Sequence, residues 1–102
     1  MISISELDIH PHLKARMSQR GITIAEIVRV INEGWEVSDA KPGTLGKVFV
    51  FQYNNIWEEK VFQEKEVCVY YKFMEDKIVL LTAKARYGKD FSKEGESNEA
   101  GI

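Results

Sequence analysis

Apolar residues recur every three or four positions in the first third of the chain, a spacing that predicts two amphipathic helices. The first, over residues 5–20, has Asp8 or His10 as candidate N-caps, Pro11 in its first turn and Gly21 after its last residue. Its apolar stripe is narrow, so polar side chains lie directly beside the positions that we expect to be buried.

The second predicted helix begins at Thr23 and ends at Gly34. Thr23 and Glu26 have the spacing of a capping box, in which each side chain binds the backbone N–H of the other residue. Its apolar positions follow the i, i+3, i+4, i+7 rule: Ile24, Ile27, Val28 and Ile31. A helix with such a face is expected to pack against a large, flat surface.

Beyond the second helix the pattern changes to that of strands. Residues 47–53, 66–73 and 77–87 are rich in β-branched and aromatic side chains and predict three strands, preceded by a short strand at 35–38. Residues 57–62 fit either a connecting turn or the start of a longer strand. This order favours an α+β fold, with two N-terminal helices packed on one face of a twisted antiparallel sheet of about four strands.

The length of 102 residues fits one domain, which we place at residues 1–88. Residues 89–102 are polar and acidic and contain one aromatic residue, so we expect them to form a disordered tail. The single cysteine, Cys68, falls in an apolar strand and suits a reducing compartment. Because no basic leader and no long apolar segment occur, we predict a cytoplasmic protein with no membrane contact.

The net charge of −2 comes entirely from residues 89–102, which contain two lysines and four acids. The other 88 residues carry 12 basic and 12 acidic side chains and are therefore neutral. A neutral domain can still present a local basic surface, although it lacks the overall field that steers most nucleic-acid-binding proteins. Charge alone neither supports nor excludes RNA as a partner.

Three cationic or titratable side chains share one stripe of the first helix. His12, Arg16 and Arg20 are spaced four residues apart, so all three can face one ligand. Guanidinium groups bind phosphate through paired hydrogen bonds, and an imidazole exchanges protons near neutral pH. The alternative is structural: the arginines anchor the helix to the sheet, and His12 caps it or packs on an aromatic ring.

The last strand has a second polar row. Period-two alternation places Thr82, Lys84 and Arg86 on one face, which predicts a strand whose final part is exposed. The other face of the predicted strand carries Leu81, Ala83, Ala85 and Tyr87. The polar row is either half of a site or a solvated strand end that discourages edge pairing. A composite site would require His12 and Arg16 to share a cleft with Lys84 and Arg86.

Several aromatic residues in or near the strands are able to stack on nucleobases or to form part of the core: Tyr53, Trp57, Tyr70, Tyr71 and Tyr87. The two histidines, the one cysteine and the scattered carboxylates show no metal-binding spacing. Glycine-rich phosphate loops are also absent from the sequence. We therefore predict no metal and no cofactor.

The sequence resembles a prokaryotic domain family of unknown function that is distantly related to the RelE/ParE toxins. The resemblance covers about residues 8–88 and rests on the pattern His12-x3-Arg16-Met17-x2-Arg20-Gly21-Ile22, on Tyr53-Asn54 with Trp57 and Lys60, and on Lys65-Glu66-Val67-x-Val69-Tyr70. It implies a RelE-like fold, in agreement with the order of elements inferred above.

The resemblance also implies a toxin-type endoribonuclease that cleaves RNA without a metal by attack of the ribose 2′-hydroxyl. The implied catalytic residues are His12, Arg16, Lys84, Arg86 and Tyr87, and the implied binding residues are Arg20 and Thr82. RNA and a cognate antitoxin-like protein are the expected partners, and a homodimer is left open. The alternative is a non-catalytic protein- or nucleic-acid-binding module, because relatives with this fold differ in function.

Overall fold

Two helices precede a four-stranded antiparallel sheet in the computed structural model, which describes residues 2, 4–5 and 8–91. The elements are α1 (Pro11–Arg20), α2 (Ile24–Glu33), β1 (Trp35–Glu36), β2 (Leu45–Trp57), β3 (Lys60–Met74) and β4 (Lys77–Gly88). The predicted α+β fold is confirmed.

The first helix is defined by its caps. Of the two candidate N-caps His10 is the one used: its Nδ1 accepts a hydrogen bond from the backbone N–H of His12, and Pro11 follows as the first helical residue. Gly21 ends α1 in the left-handed region at φ 71°, and its N–H donates to the carbonyls of Met17 and Ser18. Leu13 and Met17 are the helical residues that reach the core.

The second helix begins with the predicted capping box. The Thr23 hydroxyl accepts from the backbone N–H of Glu26, and the Glu26 carboxylate accepts from the backbone N–H of Thr23. Ile27, Val30 and Ile31 are buried along one face of α2, and the helix ends before Gly34. Ile27 and Ile31 are thus buried as predicted and Ile24 packs against the core, but Val30 is buried in addition and the predicted Val28 is only half-buried.

The strands form a simple meander in the order β1-β2-β3-β4, so β4 is an outer strand. Glu58 and Glu59 form the turn between β2 and β3 with positive φ angles, and Lys60 begins β3. Residues 57–62 are thus both a tight turn and the start of a long strand. A β-bulge between Gln52 and Asn55 interrupts the β2–β3 register.

The core lies between the helices and one face of the sheet. α1 packs mainly against β4, and α2 packs against β2 and β3. The buried cluster comprises Ile9, Leu13, Met17, Ile22, Ile27, Val30, Ile31, Val67, Val69, Tyr71, Leu80 and Ala83. Because the two helices cover this face, the opposite face of the sheet is free of helices; we call it the open face.

One strand assignment needs correction. Simple alternation places Leu81 on the same face as Ala83, but β4 has an irregularity there: Tyr70 pairs with Thr82, whereas Tyr71 pairs with Leu80. The extra residue, Leu81, is therefore 42% exposed, and Leu80 takes the buried position. Alternation cannot reveal such a bulge, because it assumes an unbroken two-residue period.

The chain remains packed for a few residues beyond β4. The backbone N–H of Phe91 donates to the Glu64 carboxylate at 2.9 Å, and the Arg86 guanidinium lies 4.6 Å from the Phe91 ring centroid. Residues 92–102, the greater part of the predicted disordered tail, lie outside the described residues. Neither helix in the described part of the chain has the length and apolar character needed to cross a membrane.

Candidate functional site

The cations predicted on α1 and β4 lie on opposite sides of the sheet. Val67 and Val69 face the helices, so the alternate residues of β3 face the other way, and their β4 partners Lys84 and Arg86 do the same. His12 lies on α1, which packs on the covered face. The structure therefore does not bring the helix stripe and the strand cations into one cleft.

A cleft of about 290 Å³ opens on the open face, between the end of the sheet and the loop that joins β1 to β2. We call it the open-face cleft; its lining residues are Asp39, Lys41, Thr44, Tyr70, Leu81, Thr82 and Lys84. Two of the predicted site residues, Thr82 and Lys84, thus lie together. The loop adds a carboxylate and a second ammonium group, which the strand pattern alone does not predict.

Tyr70 links the two sides of this cleft. Its hydroxyl donates to Asp39 Oδ1 at 2.9 Å, and the Lys84 ammonium lies 5.1 Å from its ring centroid. Burial, together with hydrogen bonds to Cys68 and Asp39, raises the pKa of Tyr70, so its hydroxyl keeps its proton at neutral pH. Tyr70 therefore serves as a donor that holds the Asp39 carboxylate beside the lysine.

The thiol of Cys68 lies on the same face and is half-buried, directly across the strands from Lys84. Burial raises the pKa of this thiol above its ordinary value, and the hydrogen bond with Tyr70 opposes that shift. A protonated thiol is a weak nucleophile. We therefore give Cys68 no nucleophilic role at the cleft.

Arg86 is held in place on the open face. Its Nε and Nη2 donate to the two carboxylate oxygens of Glu66 at 2.8 and 3.0 Å, a paired geometry that raises the pKa of the guanidinium. Phe91 packs against the same group. Arg86 is thus oriented but already paired, which weakens it as a phosphate ligand relative to Lys84.

His12 and Arg16 are exposed on α1. The His12 ring stacks on His10 at 5.0 Å between centroids, close to the helix start, and Arg16 makes no ion pair within the described part of the chain. These two side chains are available to a partner.

Arg20 and Tyr87 meet at the junction of α1 with β4. Arg20 Nη1 donates to the carbonyl of Ala83 at 2.7 Å, and the Tyr87 hydroxyl donates to the carbonyl of Arg20 at 2.6 Å. Trp57 stacks on Tyr87 with ring centroids 4.8 Å apart and planes 11° from parallel. For Arg20, the structural alternative is therefore the one observed: it anchors the helix to the outer strand.

Lys65 is a buried cation that the sequence analysis did not single out. It is 2% exposed, and its ammonium binds the Glu26 carboxylate at 2.9 Å and the carbonyl of Gly21. The rings of Tyr53 and Tyr87 pack against each other, and their centroids lie 5.6 and 5.5 Å from this ammonium. The sequence does indicate this burial: Lys65 lies two residues before Val67 and four before Val69, so strand alternation places it on the same buried face of β3.

The sequence analysis also did not identify Asp39 and Lys41 of the cleft, for a different reason. They lie in an irregular loop, where no periodicity connects sequence position with a face of the fold. No group of three histidine, cysteine, aspartate or glutamate side chains among residues 2, 4–5 and 8–91 is arranged to hold a metal ion. The chemistry of the cleft is that of two ammonium groups, one carboxylate and hydroxyl groups.

Comparison with known proteins identifies a family without an assigned activity. The sequence model of the family described as "Domain of unknown function (DUF4258)" matches residues 9–84, which include both helices and most of the sheet. Neither the curated proteins nor the solved structures provide a match. Because the family match covers well over half of the chain, this protein belongs to the DUF4258 family.

Proposed function

We propose that this protein is a small RelE-like RNA-binding protein of the cytoplasm that cleaves RNA in the open-face cleft without a metal ion. The observation that carries the proposal is the placement of Lys84 and Lys41 around the Asp39–Tyr70 pair. Two ammonium groups attract a phosphodiester, and a carboxylate beside them can accept a proton from the attacking hydroxyl.

In the proposed reaction Asp39 removes the proton of a ribose 2′-hydroxyl, and the 2′-oxygen attacks the adjacent phosphorus. The bond from phosphorus to the 5′-oxygen of the next nucleotide breaks, and that oxygen takes a proton from the Lys84 ammonium. The products are a 2′,3′-cyclic phosphate and a 5′-hydroxyl. Lys41 and Lys84 offset the extra negative charge that forms on the phosphoryl oxygens in between.

This assignment changes the roles that the sequence suggests. Tyr87 donates its hydroxyl to the carbonyl of Arg20 and lies on the covered face, so we give it no proton-transfer step. His12 belongs to α1 on the same covered side, and we replace it as the base with Asp39. Thr82 and Arg86 remain candidates for contacts with phosphates on either side of the scissile one.

The test is cleavage of single-stranded RNA in EDTA by wild-type protein and by Asp39→Asn and Lys84→Met. The amide introduced by Asp39→Asn can still accept from the Tyr70 hydroxyl, so folding is kept while the base is lost. We expect each variant to cleave at least about 100-fold more slowly. Lys77→Met, at the exposed start of β4, is the matched control and should cleave normally. Unchanged cleavage in Asp39→Asn would contradict the assignment.

A non-catalytic binding module is the second candidate. The pairing of Arg86 with Glu66 and the exposed Leu81 beside the cleft favour it, because a neutral, partly apolar surface suits a protein such as an antitoxin. If wild-type protein binds RNA or co-purifies with a partner but leaves RNA intact at micromolar concentration, this second function replaces the first.

A further inference from the structure

A second cavity lies across β4 from the open-face cleft, at the junction of α1 with the β2–β3 hairpin. Its volume is about 370 Å³, and we call it the junction pocket. The lining residues are Gln19, Arg20, Trp57, Glu58, Phe62, Ala85 and Tyr87. Aromatic rings form one wall, and amide, guanidinium and carboxylate groups surround them.

The rings of this wall are fixed by one another. Trp57 stacks on Tyr87, and Phe62 lies 5.9 Å from Tyr87 at an interplanar angle of 45°. Tyr87 is in turn hydrogen-bonded to the end of α1. A rigid aromatic wall loses little conformational entropy when a flat ring packs on it.

The exposed side chains of α1 lead to the same pocket. Lys14 and Ser18 line a groove together with Ile24 of α2, so their flank of α1 faces the second helix. Helical geometry places His12, Arg16 and Gln19 on the other flank. Since α1 packs on β4, which is the outer strand, that flank follows the free edge of the sheet.

The two cavities are therefore separated by the width of one strand. Ala85 lines the junction pocket, while its sequence neighbour Lys84 lines the open-face cleft. A flexible single strand that crosses the free edge of β4 would meet Lys84 on one side and Arg16 on the other. A double helix is too wide and too stiff to take this path.

We propose that the junction pocket binds an unpaired nucleobase of the RNA whose backbone crosses the edge of β4. This inference rests on the proposed function, in that the same RNA occupies the open-face cleft. The base packs against both Trp57 and Phe62, and the polar groups of Gln19 and Glu58 contact its edge. Stacking accepts any base, so the pocket favours unpaired over paired RNA without specifying sequence.

Trp57 makes this proposal directly observable, because the chain has only two tryptophans and Trp35→Phe leaves Trp57 as the single one. The probe is a short oligoribonucleotide with 2′-O-methyl groups throughout, which cannot be cleaved by 2′-hydroxyl attack. We expect saturating probe to quench Trp57 emission, while the anisotropy of a label on the oligonucleotide measures its affinity.

Two substitutions test the wall and the polar groups separately. Phe62→Leu should weaken binding about tenfold, in line with the loss of one stacked base. Gln19→Ala should weaken binding less and leave the quenching in place. Gln52→Ala, an exposed glutamine of β2 that does not line the pocket, is the matched control and should bind normally.

The outcomes separate the two proposals. Binding with unchanged Trp57 emission, or unaltered affinity in Phe62→Leu, overturns the junction pocket and leaves cleavage in the open-face cleft intact. Quenching by the probe together with intact RNA in the EDTA assay overturns the cleavage proposal and supports the pocket. Absence of any binding at micromolar probe overturns both.

Discussion

The hydroxyl of Tyr87 donates a hydrogen bond of 2.6 Å to the backbone carbonyl of Arg20, which ties the end of the last strand to the end of the first helix. The Arg20 side chain in turn donates a hydrogen bond to the backbone carbonyl of Ala83 on the same strand. These two hydrogen bonds join residues that are more than sixty positions apart in the sequence. They also provide the most direct tests of the structure.

Removal of the Tyr87 hydroxyl should reduce stability and leave cleavage intact. Tyr87→Phe loses one hydrogen bond and leaves the half-buried carbonyl of Arg20 with one partner fewer, so we expect the free energy of unfolding to fall by about 1 kcal/mol in urea titrations. Tyr53→Phe removes an exposed bond to Ile56 and should cost less. Loss of RNA cleavage in folded Tyr87→Phe that still binds the 2′-O-methyl oligonucleotide normally would instead make this tyrosine catalytic.

Gly21 should tolerate no side chain. Its φ is 71°, and a Cβ atom would lie 2.6 Å from a ring atom of Trp57 and 2.7 Å from the Tyr87 hydroxyl. We expect Gly21→Ala to lower the free energy of unfolding by at least about 2 kcal/mol. Gly43 has φ 83° with nothing within 4 Å of its Cβ position, so Gly43→Ala measures the backbone strain alone, about 1 kcal/mol. Equal losses in the two variants would show that the contact with Trp57 is unimportant.

The two arginines of the helix motif should behave differently. Arg20→Ala breaks the bond to Ala83 and should destabilise the protein by about 1.5 kcal/mol. Arg16→Ala should change stability by no more than about 0.5 kcal/mol but weaken RNA binding at low salt. Thermal unfolding and anisotropy titrations at two salt concentrations measure these effects. A large loss of stability in Arg16→Ala would reveal a structural role for it.

The buried Lys65–Glu26 pair should be one of the costliest interactions to break. Lys65→Met leaves the Glu26 carboxylate and the carbonyl of Gly21 without their ammonium partner, and we expect a loss of about 3 kcal/mol. Glu26→Gln keeps a polar partner and should cost less. A double-mutant cycle measures the coupling between them, and additive losses would argue against a direct interaction.

Alkaline pH should weaken the fold. Burial raises the pKa of Tyr70 and of Tyr87 above the ordinary value of 10, so the folded protein holds these protons more tightly than the unfolded chain. Their contribution is complete below pH 10 and is lost as the pH rises toward the folded-state pKa values. Urea titrations between about pH 9 and pH 11 should show a falling free energy of unfolding. Combining Tyr70→Phe with Tyr87→Phe should reduce that slope, and Cys68 and Tyr71, whose pKa values are also raised by burial, should account for the remainder.

The sequence predicts the fold well where periodicity and capping chemistry agree. The capping box of Thr23 and Glu26, the stop at Gly21 and the order of elements all appear as predicted. The bulge at Leu81 could not be predicted, because it depends on how β3 and β4 pair.

The site is less predictable than the fold. Alternation correctly placed Lys84 and Arg86 on one face, since a strand imposes that geometry by itself. Which face the helices would cover depends on tertiary packing, and that choice separates Lys84 from His12. Asp39 reaches Tyr70 from a loop, so only the folded chain reveals their hydrogen bond.

The packing of α1 on β4 also has a consequence for the order of folding. The ten-residue helix α1 emerges from the ribosome before β4 does, but a helix this short is only marginally stable without a surface to pack on. That surface is the last strand, which ends at Gly88. We therefore expect α2 and the meander to form first, and the segment with His12, Arg16 and Arg20 to dock only after β4 has been synthesised.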